Sequence, residues 1–126
     1  MLCMNFENLA VGVDIEDIER FEGKDEMFYR RIFSDLEFDY CKSMPCPAQH
    51  FAARFCAKEA IFKALSSFGE SGVEFKKIEI YHENKMPAIR FLSGLSVKYR
   101  AKLSLSHDKT KAIAYVMVEK LENKGV

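Results

Sequence analysis

The chain has no excess of charge of either sign: 19 Lys and Arg stand against 19 Asp and Glu. A general nucleic-acid binder draws its affinity from a basic surplus, so that class is excluded, and any charged partner must be met by a local patch. A long hydrophobic run is also missing. No stretch approaches the roughly 20 apolar residues that span a bilayer, so no membrane role is expected. The opening MLCMNFENLAVGVD has neither a basic segment nor a long apolar one, which predicts no secretory leader and a cytoplasmic location. Repeats, low-complexity tracts and linkers are absent, as is a glycine-rich phosphate loop. The four cysteines, Cys3, Cys41, Cys46 and Cys56, do not form the close pairs of structural zinc sites even with His50 beside them. Cys56 also falls within a helical pattern, so reduced thiols are expected, some of them buried.

What is present suits one compact domain spanning 1–126, with 48% hydrophobic and 30% charged residues. In LAVGVDIE, Val11, Val13 and Ile15 alternate with Gly12, Asp14 and Glu16. The pattern predicts a strand with the aliphatic residues on its core side and Asp14 on the other. DIERF predicts a short turn ended by Gly23, and the spacing from Met27 to Phe33 predicts a helix. Ser34 and Glu37 form a capping-box pattern opening another short helix, which Pro45 and Pro47 end. The main helix runs from about Ala48 to Phe68, with Gly69 past its end. Phe51, Phe55, Phe62 and Leu65 are its core positions. Ala53, Ala57, Ala60 and Ala64 make a second, small-residue stripe that lets another backbone come close, either in this chain or in a neighbour. Strands follow around KKIEIYHE and AIRFL, with NKMP as the turn between them. A short helix after Gly94 precedes the last two strands, LSLSH and AIAYVMVE. This order predicts an α+β domain, its largely antiparallel sheet packed on one long helix with short helices to one side.

Three polar clusters interrupt these apolar elements: Asp14 on the first strand, Arg54, Lys58, Glu59 and Lys63 on the long helix, and SLSHD with His107 at a strand end. A helix buried on most of its circumference makes its charges costly unless they are used. Two carboxylates, Asp14 and Glu59, suit magnesium, which takes one or two carboxylates and leaves the rest to substrate oxygens and water. Cations beside such a site would neutralise phosphate oxygens. Each piece also has a plainer reading. Glu59 and Lys63 form an i,i+4 pair worth a few tenths of a kcal/mol. Asp14 could cap the following turn. Ser104 and Ser106 could be the solvent face of a strand, and His107 a structural histidine.

The segments VGVDIEDIERF, FAARFCAKEAIFKAL and LSLSHDKTKAIAYV, in that order and over nearly the whole chain, resemble the signature segments of the holo-acyl-carrier-protein synthases, the small class of 4′-phosphopantetheinyl transferases. The resemblance implies the fold of that family and transfer of 4′-phosphopantetheine from coenzyme A to a serine of an apo acyl carrier protein. It implies magnesium, or manganese, on Asp14 and Glu59. Lys63 would meet the coenzyme A diphosphate, Lys58 and Arg54 other phosphates, and His107 the coenzyme A site. Arg20 would dock the carrier with apolar help from Met27 and Phe28, and Glu59 is the candidate base through a water relay. It implies a homotrimer with active sites at subunit boundaries. The alternative is a coenzyme A or nucleotide binder that kept the fold and lost the reaction. The chain departs from the family pattern in three places. Phe55 stands where many members have Trp. NKMP lacks the glycine common in that turn. The surroundings of Arg20 are acidic, with Glu16, Asp17, Glu19, Glu22, Asp25 and Glu26.

Overall fold

The computed structural model describes residues 5–122; Cys3 lies outside them. Strand β1 (Leu9–Asp17) leads through a 3-10 turn at Ile18–Phe21 to helices α1 (Glu26–Arg30), α2 (Asp35–Ser43) and α3 (Pro47–Ser66). Strands β2 (Ile78–Glu83) and β3 (Met86–Phe91) form a hairpin. A 3-10 turn at Ser93–Val97 then precedes β4 (Tyr99–His107) and β5 (Lys111–Lys120). The strands make two antiparallel sheets, β1-β5-β4 and β2-β3. This is the expected α+β arrangement of antiparallel strands around one long helix. Among the described residues no helix is long and apolar enough to cross a membrane.

Local signals set most of these boundaries. Asp25 caps α1 by accepting from the Phe28 N–H at 2.9 Å. The Ser34–Glu37 capping box of α2 is complete. Pro47 opens α3, and Gly69, with φ +85°, lies just beyond it. The hairpin lacking a glycine is closed by Asn84 and Lys85, both with positive φ as a two-residue turn requires. The expected helix after Gly94 is only a 3-10 turn, and β4 begins earlier than LSLSH suggested, at Tyr99.

The facing of β1 is the reverse of the expected one. Val11, Val13 and Ile15 face outward, 57%, 53% and 59% exposed, while Ala10 and Gly12 are buried. Helix α3 lies on the other face of β1, so Asp14 and Glu16 point toward it. Closeness decides this. A Cβ on Gly12 would sit 1.9 Å from the Ala60 carbonyl oxygen, so the strand touches the helix backbone where only glycine fits. On the neighbouring strand, Ala112, Ala114, Val116 and Val118 are fully buried beneath the same helix. The alanine stripe is therefore spent on the chain's own sheet, and it is not the face offered to another subunit. The long aliphatic side chains would have held the helix too far away.

The core holds an ion pair. Lys58 Nζ lies 2.8 Å from Glu37 Oε1, and both side chains are fully buried. Lys58 also donates to the carbonyls of Phe75 and Ile78. Glu37 accepts from the backbone N–H of Ser34 and of Ile80, at 2.9 and 2.8 Å. The three ammonium protons and both carboxylate oxygens are thus used, which is the condition for tolerating buried charge. The assignment of Lys58 to a coenzyme A phosphate is corrected by this geometry: its ammonium is enclosed between α2, α3 and the start of β2. Lys58→Met should cost about 3–5 kcal/mol by stranding Glu37. Adding Glu37→Gln should restore part of the loss, as read from urea midpoints.

Candidate active site

Two clusters flank α3. The first gathers on the β1 side. Lys63 Nζ lies 3.1 Å from Asp14 Oδ1 and 3.0 Å from the Val13 carbonyl, so its partner is Asp14 across the helix–strand seam and not Glu59 one turn back. The other Asp14 oxygen, Oδ2, is buried and has no hydrogen-bond partner. Burial, and then the Asp14 charge, raise the pKa of Glu59, with Lys63 and Arg20 pulling the other way. Burial, and then contact with Asp14, also raise Glu16, against Arg20. Arg20 Nη1 bonds Glu16 Oε1 at 2.8 Å, and its guanidinium lies 4.9 Å from the Phe55 ring centroid. Asp14 thus faces two further carboxylates, Glu16 and Glu59, beside the cations Lys63 and Arg20. Glu16 was not singled out from the sequence as a site residue, although its alternation with Asp14 was the available signal.

This donor set fits a hard divalent cation: an unpartnered buried carboxylate oxygen, and neighbours whose charge is electrostatically costly without one. Among the described residues no group of three or more His, Cys, Asp or Glu is disposed to hold a metal by itself, but magnesium needs only one or two carboxylates. The cysteines among the described residues are free thiols. Cys41 and Cys56 are buried free thiols with pKa values pushed up to about 12, chiefly by burial, and Cys46 is free and exposed.

The second cluster surrounds the N-terminal half of α3. Arg54 is 2% exposed, yet its Nε has no partner. Its Nη2 lies 3.0 Å from His82 Nδ1, and its guanidinium is 4.4 Å from the Tyr40 ring centroid. Tyr40 also stacks with His82 at 4.9 Å. These groups line a cleft of about 580 Å³ shared with Tyr81 and Arg90. His107, exposed at the end of β4, bonds Gln49 through Nδ1 at 2.7 Å. Burial first, then Arg54, His107 and His82, lower the pKa of His50, so all three histidines of the chain converge here. Tyr40 and His82 carried no motif and were missed in the sequence; nothing local marked them. Arg54 and Glu59 are five residues apart, about 7.5 Å along the helix and about 140° around it, so the two clusters face different directions.

The family model of the 4′-phosphopantetheinyl transferase superfamily matches residues 10–116. The chain belongs to that superfamily. It is 40% identical over 120 residues to the holo-[acyl-carrier-protein] synthase of Clostridium acetobutylicum, covering 87% of this chain and 96% of that one. The Bacillus anthracis synthase, solved with coenzyme A (3′,5′-ADP), superposes with a TM-score of 0.74 at 29% identity, over 87% of this chain and 95% of that one. The Helicobacter pylori synthase, solved with coenzyme A, gives 0.72 at 30% identity, over 86% and 99%. Of the charged residues singled out in the sequence, Asp14, Glu59 and Lys63 lie in the first cluster and Arg54 and His107 in the second, while Lys58 lies in the core.

The raised Glu59 carboxyl gives a pH signature. A raised folded-state pKa contributes stability that is present below the ordinary carboxylate value of 4.5 and lost as pH climbs through the raised value. In metal-free buffer, Glu59→Gln should match wild type near pH 4. It should gain on wild type above pH 5, by less than about 1 kcal/mol, in denaturant titrations across that range.

Proposed function

We propose that this chain transfers 4′-phosphopantetheine from coenzyme A to a serine hydroxyl of an apo acyl carrier protein, releasing adenosine 3′,5′-bisphosphate, in the cytoplasm and in support of fatty acid biosynthesis. The carrying observation is that Asp14, Glu59 and Lys63 meet at the β1–α3 seam of a chain matched to the superfamily from residue 10 to 116. The whole of 1–126 is read as one such domain.

Lys63 is the diphosphate contact, and its exposed ammonium can move from Asp14 to a phosphate oxygen. Arg54 and His107 bind other parts of coenzyme A. Asp14 and Glu59 would hold magnesium, or manganese in its place. When bound, such an ion would supply charge neutralisation for the diphosphate and the leaving bisphosphate. The serine oxygen forms a bond to the phosphorus that carries the pantetheine, and the bond to the bisphosphate breaks. Such transfers need positioning and charge neutralisation more than covalent help from the protein. Glu59 receives the serine proton through a water.

Arg20, Met27 and Phe28 are the carrier-docking residues. Met27 is exposed, Phe28 is half-buried against Phe21 and Tyr29, and Arg20 reaches a carrier only by exchanging Glu16 for it. A homotrimer with active sites at subunit boundaries rests on a different surface from the alanine stripe. The outer sheet face pairs Val11 with Met117, Val13 with Tyr115 and Ile15 with Ile113, six exposed apolar residues in one patch. The opposed directions of the two clusters favour sites completed by a neighbour.

Mass spectrometry of an apo carrier incubated with the protein, coenzyme A and magnesium should show the added phosphopantetheine; an unmodified carrier would sink the reading. Asp14→Asn should lower the rate at least about 100-fold. It should also abolish the rise in Tm that magnesium gives the wild type. Val13→Glu with Tyr115→Glu should convert trimers to monomers in light scattering and remove most activity.

A further inference from the structure

Arg54 is buried in an unusual way. A guanidinium has five N–H donors and no acceptor. Here one donor meets His82 Nδ1 at 3.0 Å, one reaches the His50 carbonyl at 3.4 Å, and Nε bonds nothing. A charged group so little exposed, with donors to spare and bordering a cleft of about 580 Å³, is set to receive an anion. What fixes its direction is the stack on Tyr40 and the bond to His82.

That bond also fixes the state of His82. Arginine only donates, so Nδ1 must carry a lone pair and the ring proton must sit on Nε2. We infer that His82 is a positioning residue: neutral and stacked on Tyr40, it holds the Arg54 guanidinium in the orientation that receives a phosphate of coenzyme A. This rests on the reading of Arg54 as a coenzyme A contact. His82 itself need not touch the ligand.

A protonated His82 would lose the acceptor and set an imidazolium against a guanidinium. The titratable and charged groups about the cleft are Asp39 and Tyr40 on α2, His50 and Arg54 on α3, Arg90 on β3 and Tyr81 on β2 itself. Of these the Arg54 charge, second to partial burial, lowers the pKa of His82 below the usual histidine value. The neutral form therefore prevails at physiological pH.

The test measures KM and kcat for coenzyme A, with calorimetric coenzyme A binding as a second readout, from pH 5.5 to 8. The proteins are wild type, His82→Leu, His82→Asn, Arg54→Gln and the double variant Arg54→Gln with His82→Leu. Loss of a hydrogen bond to a charged group predicts that His82→Leu raises KM about tenfold at pH 8 while kcat changes by less than about twofold. His82→Asn, whose side-chain oxygen can accept in place of Nδ1, should restore most of the affinity. The ratio of wild-type to Asn KM should climb as pH falls, since the phosphates of coenzyme A titrate alike in both. The double variant should be no weaker than Arg54→Gln alone.

If Arg54→Gln leaves coenzyme A binding unchanged, the reading of Arg54 itself is wrong. If Arg54→Gln weakens binding and His82→Leu does not, only the positioning role falls. A further loss in the double variant, or a wild-type to Asn KM ratio that drops at low pH, would make His82 a direct ligand and overturn the inference.

Discussion

The buried pair of Glu37 and Lys58 is the constraint around which the molecule is organised. Glu37 closes the capping box of α2 and receives the Ile80 N–H, while Lys58 binds the carbonyls of Phe75 and Ile78. One ion pair therefore joins α2, α3 and the first strand of the hairpin. Its cost in lost hydration is large, and it persists because every proton and lone-pair direction that matters is used. The hairpin also reaches α2 through Glu79, which accepts from Ser34 Oγ at 2.7 Å. With β2 fixed in this way, His82 is delivered to Arg54, and the second cluster of the site exists.

A second constraint acts on the opposite side of α3. Gly12 lets β1 approach the helix backbone, and the alanines of α3 meet Ala112, Ala114 and Val116 of β5. At the edge of this tight seam the residues alternating with Val11, Val13 and Ile15 change from small to acidic. Asp14 is thereby held against Lys63 and beside Glu59, and Glu16 beside Asp14 and Arg20. Packing that close leaves Asp14 Oδ2 with no protein partner and raises Glu59. Electrostatic tension among these carboxylates and tight backbone packing are consequences of the same contact.

The same seam accounts for the outer face of the sheet. Once the helix takes the small residues, the large apolar ones have nowhere to go but outward, where six of them pair across β1 and β5. A chain of this size gains by covering such a patch. The acidic segment after β1 is also partly neutralised within the chain: Glu16 by Arg20, Asp17 by Lys111, Glu26 by Arg30. Fewer free charges remain there for an incoming partner than a count along the sequence suggests.

The sequence by itself determined the elements and their punctuation. The Ser34–Glu37 box, Pro47 and Gly69 act through neighbours in the chain, and their effects were legible as local chemistry. So were Asp14, Glu59 and Lys63 as candidates, because a charge on an otherwise apolar element has to be accounted for. Only the tertiary structure decided which face of β1 is inside, since a strand with apolar residues on one face and small ones on the other can bury either, and backbone proximity rather than hydrophobicity chose. It likewise decided that Lys63 answers Asp14 instead of Glu59, that Lys58 belongs to the core, and that Tyr40 and His82 attend Arg54. Those pairings join residues 14 to 49 positions apart in the chain, and their energies depend on distance and burial, which no local pattern encodes.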